Sequence, residues 1–195
     1  MTKRLTTEAF NEALIILAQR DADLGKIIKE FDNPPMLRRS GGFRTLVLLI
    51  LEQQVSVSSA RATFDRLIMI AGKLTPRRAI ELSDEEFRGS GISRQKTRYI
   101  RHLSHCLLDK TLRIQRLPYL DDDSVREQLT QVKGIGSWTA EVYLLMCLQR
   151  PDVWPVGDIA LQAAAHEIKG LQMRPGPQEL MNIGDRWRPW RGVAA

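Results

Sequence analysis

The chain has little of what cofactor chemistry and covalent bracing require. Two cysteines, Cys106 and Cys147, in 195 residues exclude a disulfide framework, a four-cysteine zinc site and a four-cysteine iron–sulfur cluster. They read as core thiols. The three histidines, His102, His105 and His166, stand at no ligand spacing from a cysteine or an acidic partner, and the first two read as one solvated helix face. The longest apolar run, Leu46 to Leu51, is far short of a membrane span. The opening, MTKRLTTEAFNEAL, carries neither a signal-peptide core nor a lipidation motif. No stretch alternates with period two, which argues against strands. No repeat recurs at about 20–50 residues, which argues against a solenoid.

What is present is ordinary globular composition, 43% hydrophobic and 27% charged, at a length that suits one domain or two small subdomains sharing a cleft. Twenty-nine Lys plus Arg against 23 Asp plus Glu give a net charge of +6, which favours a polyanionic partner. A soluble, cytoplasmic, monomeric protein is the expectation.

Helix punctuation recurs throughout. Thr6 caps a first helix in which Phe10, Leu14, Leu17 and Ala18 share a face. Thr75-Pro76 sets a cap with proline at the first helical position, and Gly176-Pro177 opens a last helix that Pro189 closes. Ser83 with Glu86, and Ser124 with Glu127, have capping-box spacing. Segments 44–70, 94–109 and 137–149 are long and apolar enough to be helices. Of these, Arg44 to Val57 and Trp138 to Leu148 lack a polar face and belong in the middle of a domain. Residues 32–42 (DNPPMLRRSGG) and 151–157 (PDVWPVG) are breaks. The prediction is all-α.

The chemistry concentrates between Ser124 and Gln162. A capped helix, the turn Lys133-Gly134-Ile135-Gly136-Ser137 and an apolar helix follow one another. Glycines at both ends of Gly-Ile-Gly permit positive φ and close approach of another backbone. The amides of Gly136, Ser137 and Trp138 suit a phosphate oxygen. Gly-x-Gly alone is a common helix corner; in a basic all-α protein it points further toward DNA.

VKGIGSWTAE resembles the helix–hairpin–helix of DNA glycosylases, and PVGDIAL resembles the Gly/Pro-rich loop and aspartate that follow it. The pair identifies the helix–hairpin–helix/GPD superfamily. Within it, residues 51–57 (LEQQVSV) resemble a landmark helix of the 3-methyladenine DNA glycosylase II branch, as do residues 91–100 (GISRQKTRYI) and 187–191 (WRPWR). The resemblance spans roughly residues 5–195.

The resemblance implies two helical subdomains around a cleft, residues 43–136 against 1–42 plus 137–195, with the hairpin motif at 124–149. It implies that Asp158, which otherwise reads as a plain helix cap, is the catalytic carboxylate. Trp138, otherwise a core tryptophan, becomes an aromatic wall of the base pocket. Strand-cleaving relatives carry a Schiff-base lysine in its place, so hydrolysis without lyase activity is expected. Lys133 precedes the hairpin, where relatives often have proline, and is not that lysine. Gln54, otherwise half of a helix-end pair with Gln53, becomes the wedge that enters the duplex; relatives often use leucine there. Gly134, Gly136 and Ser137 grip the backbone. The main-chain carbonyls of Thr130, Val132 and Ile135 are the implied seat of a structural monovalent cation or Mg²⁺, with no cofactor required and no iron–sulfur cluster.

Trp187 and Trp190 are expected to pack the last helix onto the core, and Asp121-Asp122-Asp123 to complement a helix dipole. Arg94, Lys96, Arg98 and Arg101 form a basic strip that reads equally as phosphate contacts or as a solvated face. Relatives of the longer type also carry an N-terminal β-domain, which is not expected in 195 residues. Relatives usually continue past the WRPWR run into a helix that bears an aromatic residue of the base pocket. The implied partner is double-stranded DNA with damaged bases, in the nucleoid or the nucleus. The implied reaction is removal of alkylated bases such as 3-methyladenine or 7-methylguanine. A glycosylase for deaminated or oxidised bases, and a helix–hairpin–helix module that binds DNA without chemistry, stay open.

Overall fold

The computed structural model describes residues 4–195, and every regular element among them is helical. The chain forms two compact units. One is Arg39–Tyr143; the other joins the described part of Met1–Arg38 to Leu144–Ala195. This division lies four residues before and seven residues after the expected boundaries at residues 42 and 136. The amide of Gly42 donates to the Tyr143 hydroxyl at 3.2 Å, tying both residues into the middle unit.

The middle unit contains α3 (Phe43–Glu52), α4 (Val57–Ala71), α5 (Pro76–Glu81), α6 (Asp84–Gly89) and α7 (Arg94–Leu108). A 3₁₀ turn (Ile114–Tyr119), α8 (Asp122–Thr130) and α9 (Ser137–Val142) complete it. The α3 helix packs on α4, α7 and α9, and its Leu46, Val47, Leu49 and Ile50 are fully buried. That is why it tolerates no polar face. The single helix expected over 44–70 is two. The break falls at Gln53–Ser56, where Gln54 takes a left-handed φ of 60° and Ser56 caps α4 through the Ser59 amide. The apolar run from Trp138 is likewise not one α-helix: α9 ends at Val142 and a π-type turn, Tyr143–Cys147, follows.

Capping residues define most other starts. Thr6 and Thr75 cap as expected, and Ser83 with Glu86 makes both bonds of a capping box. Ser124 and Glu127 do not. Asp121 caps α8 instead, its carboxylate accepting from the Ser124 amide and hydroxyl, each at 2.8 Å. An acidic cap three residues earlier outcompetes the hydroxyl and complements the helix dipole.

The second unit contains α1 (Thr7–Arg20), α2 (Ala22–Phe31), α10 (Ile159–Ile168), α11 (Pro177–Asp185) and α12 (Arg191–Ala194). Phe10, Leu14, Leu17, Trp154, Leu180 and Trp187 fill its core. Trp154 and Trp187 meet edge to face, centroids 5.2 Å apart. Trp190 packs half-buried on the same core, so both tryptophans of the WRPWR run are structural. Asp21, at 5% exposure, accepts from Lys169 Nζ (2.6 Å) and Trp187 Nε1 (2.9 Å). Cys106 and Cys147 are half-buried rather than core thiols.

Candidate functional site

The hairpin between α8 and α9 is built as the Gly-x-Gly pattern requires, but its two glycines serve different ends. Gly134 has φ +93°, and a Cβ there would lie 2.1 Å from Cγ of Tyr99 on α7. Gly134 is therefore glycine for internal packing. At Gly136 a Cβ would meet nothing within 4 Å, so the absence of a side chain leaves an open approach to the turn. Gly136 and Ser137 are exposed, whereas Val132 and Ile135 are buried beneath them. Arg126 on α8 clamps the hairpin from below, donating to Glu141 on α9 at 2.6 Å. Burial alone would lower the Arg126 pKa, but the bonds to Glu141 and Asp123 outweigh it and the net shift is upward.

The corner between α3 and α4 separates the two glutamines. Gln53 turns inward: its Nε2 donates to the Gly134 carbonyl (2.8 Å) and to Thr139 Oγ1 (3.0 Å). Gln54 is exposed at the tip beside Val55, which is 45% exposed. The geometry leaves Gln54 as the residue free to reach another molecule.

The basic strip is only half a surface. Lys96 Nζ donates to the carbonyls of Leu51 (2.7 Å) and Gln53 (2.9 Å), and Arg101 donates to the Leu82 carbonyl and pairs with Asp84. Burial lowers the Lys96 pKa. Arg94 and Arg98 alone of the four are exposed. His102 is not simply a solvated residue, for its Nδ1 accepts the Lys133 amide at 3.2 Å. No spacing rule in the sequence distinguishes these inward-turned side chains.

Trp138 is half-buried at the start of α9, more accessible than a core tryptophan. In the other unit, Asp158 is the N-cap of α10. Its Oδ1 accepts from the amides of Ala160 (2.9 Å) and Leu161 (3.0 Å), and its own amide donates to the Pro155 carbonyl. The cap and the carboxylate are one residue. No group of three or more His, Cys, Asp or Glu among the described residues has metal-holding geometry. A cavity of about 280 Å³ in the middle unit, lined by Phe43, Pro76, Leu107, Lys110 and Arg113 among others, includes none of these site residues. Among the described residues, no helix is long and apolar enough to cross a membrane.

Comparison with known proteins gives a consistent result. Residues 47–189 match the family of HhH-GPD superfamily base excision DNA repair proteins. A putative DNA-3-methyladenine glycosylase of Bacillus subtilis is 25% identical over 180 residues, 88% of this chain and 63% of that protein. The chain thus spans about three fifths of the length of that curated relative. Among solved structures, the Schizosaccharomyces pombe 3-methyladenine DNA glycosylase in complex with abasic DNA superposes with a TM-score of 0.87 at 25% identity. That match covers 94% of this chain and 92% of the other. A DNA-3-methyladenine glycosidase from Bacillus halodurans superposes with a TM-score of 0.79 at 32% identity, covering 98% and 88%.

Proposed function

The chain belongs to the HhH-GPD superfamily of base excision DNA repair proteins, and on that premise we propose that it is a monofunctional DNA glycosylase for alkylated bases. It acts on double-stranded DNA, in nucleoid or nucleus, and leaves an abasic site. The observation that supports this reading is Asp158, a carboxylate oriented by two helix-end amides in the PVGDIAL segment that resembles the family's loop and aspartate. The names of the relatives support the alkylated substrate class.

In the reaction so proposed, the bond from the sugar's anomeric carbon to the base breaks and its electron pair leaves with the base. Oxocarbenium character builds on the sugar, and the Asp158 carboxylate stabilises it. The cationic base leaves neutral. A water oxygen, oriented by the same carboxylate, then bonds to that carbon, and the proton it gives up passes to bulk water. Alkylation makes the base cationic and a better leaving group, so little acid catalysis is needed. Trp138 offers an indole face for stacking with such a base. The hairpin turn at Gly136 and Ser137 grips the backbone, Gln54 fills the vacated stack, and the nucleotide is extruded because its glycosidic bond is unreachable within the duplex.

The carbonyls of Thr130, Val132 and Ile135 are the proposed seat of a structural cation. These are neutral oxygen donors suited to a hard ion, and the Val132 carbonyl, which accepts the Ile135 amide at 2.9 Å, retains a second lone pair. Such an ion would supply fixed positive charge at the hairpin.

The test is release of free base from alkylated duplex DNA, with borohydride added to a parallel reaction. Free methylated purine and no trapped covalent complex are expected, since no lysine stands at the Trp138 position. A trapped adduct, or strand cleavage without heat or base, would refute the monofunctional assignment. Binding without base release would leave a DNA-holding module.

A further inference from the structure

We propose that Gln53 and Lys96 are positioning residues that lock the Gln54 corner to the hairpin, so that gripping the backbone and filling the vacated stack act as one rigid device. This rests on the reading of Gln54 as the wedge and adds what holds it in place.

The corner has little of its own to hold it. Residues 54–59 are all exposed, and Gln54 sits in the left-handed region that non-glycine residues disfavour. Such a conformation persists only where neighbours over-determine it. Two side chains do so. Lys96 places its ammonium on the carbonyls of Leu51 and Gln53, at 2.7 and 2.9 Å, where the end of α3 leaves acceptors without helical partners. The Gln53 amide then bridges to the hairpin itself, at Gly134 O and Thr139 Oγ1.

The hairpin is fixed to the same support. Lys96, Tyr99 and His102 follow at i, i+3 and i+6 on α7, which places them along one helix face. Lys96 holds the corner, the Tyr99 ring underlies Gly134, and His102 accepts the Lys133 amide. The α7 helix thus acts as a splint, and Gln53 closes the ring between corner and hairpin. Lys96 is half-buried, and burial lowers its pKa.

The experiment uses the full chain and a duplex with one 7-methylguanine, either fully paired or in a small bubble where the base is already unstacked. Single-turnover base release is measured for Gln53→Glu, which keeps shape and loses the donor, for Lys96→Met, and for Gln54→Ala. Each variant should slow release from the paired duplex by about tenfold or more and from the bubble by less than about threefold, since only the paired substrate needs the wedge. Gln53→Glu combined with Gln54→Ala should be no slower than Gln54→Ala alone, because both act through one step. Lys96→Arg, which can reach the same carbonyls, should return the rate to within about threefold of wild type. Equal slowing on both substrates would mean a merely structural role and overturn the proposal, as would an unchanged rate for Gln53→Glu. If Gln54→Ala shows no paired-specific loss, the wedge reading falls and the positioning role with it. If Gln54→Ala shows that loss and a folded Gln53→Glu does not, the positioning role alone falls. Thermal melts accompany every variant, and where Gln53→Glu melts early the contrast between Lys96→Met and Lys96→Arg decides instead.

Discussion

Under the proposed function, Asp158 combines two roles that a substitution can separate: the observed N-cap and the proposed charge stabiliser. As an N-cap it needs only an oxygen to accept the Ala160 and Leu161 amides, and asparagine supplies one. As a charge stabiliser it needs to be anionic, and asparagine is not. Asp158→Asn should therefore leave thermal stability within about 1 kcal/mol of wild type. Base release should fall by about 10²–10³-fold or more, with DNA affinity little changed. Asp158→Ala should lose the cap as well and melt earlier. If Asp158→Asn retains more than about a tenth of the rate, another group stabilises the transition state. The catalytic reading comes only from the resemblance of PVGDIAL to the family's loop, whereas the cap was legible in the sequence because Gly157-Asp158 before an apolar helix is a local signal. Gln53, Lys96 and His102 were not, since each is a polar residue whose partner lies more than thirty positions away.

The helices themselves were largely legible, through caps and prolines that act within a few residues. The misses have the same cause in reverse. The corner at Gln53–Ser56 contains no glycine or proline to announce it, and the left-handed φ falls on a glutamine held there by α7. At α8 the expected cap, Ser124, is displaced by Asp121 three residues earlier, which the sequence pattern suggests only as a complement to the helix dipole. Of the hairpin, the pattern was legible but not the division of labour between its glycines. Gly136→Ala should fold normally, because its methyl would enter open space, yet weaken binding to damaged and undamaged duplexes alike by about tenfold. Gly134→Ala should instead be destabilised by about 2 kcal/mol or more, from the collision with Tyr99 and the positive φ. Melting curves and salt-controlled binding isotherms on the two variants separate these outcomes. A Gly136→Ala protein that binds undamaged DNA normally would move the hairpin from grip to lesion recognition.

At the scale of the whole chain, one unit is assembled from both ends of the sequence and depends on polar ties that no local pattern predicts. The tie at Asp21 is a buried, charged one. Its carboxylate caps α2 through the Asp23 amide while accepting from Lys169, 148 positions away, and from the Trp187 indole. Burial alone would raise its pKa, but the bonds from Lys169 and Trp187, the charge of Lys169 and the Asp23 amide together bring it below the ordinary aspartate value. A carboxyl group whose pKa is lower folded than unfolded contributes stability that is fully present above the unfolded value, about 4, and is lost as pH falls through the folded one. Asp21→Asn should thus cost about 3 kcal/mol near neutrality, because Lys169 loses its most buried counter-charge. That gap should narrow as the pH is lowered below about 4, through the unfolded value and on toward the lower folded one. Thermal melts of the two proteins across that range measure it directly. A gap that stays constant with pH would assign the loss to shape and hydrogen bonding rather than to charge.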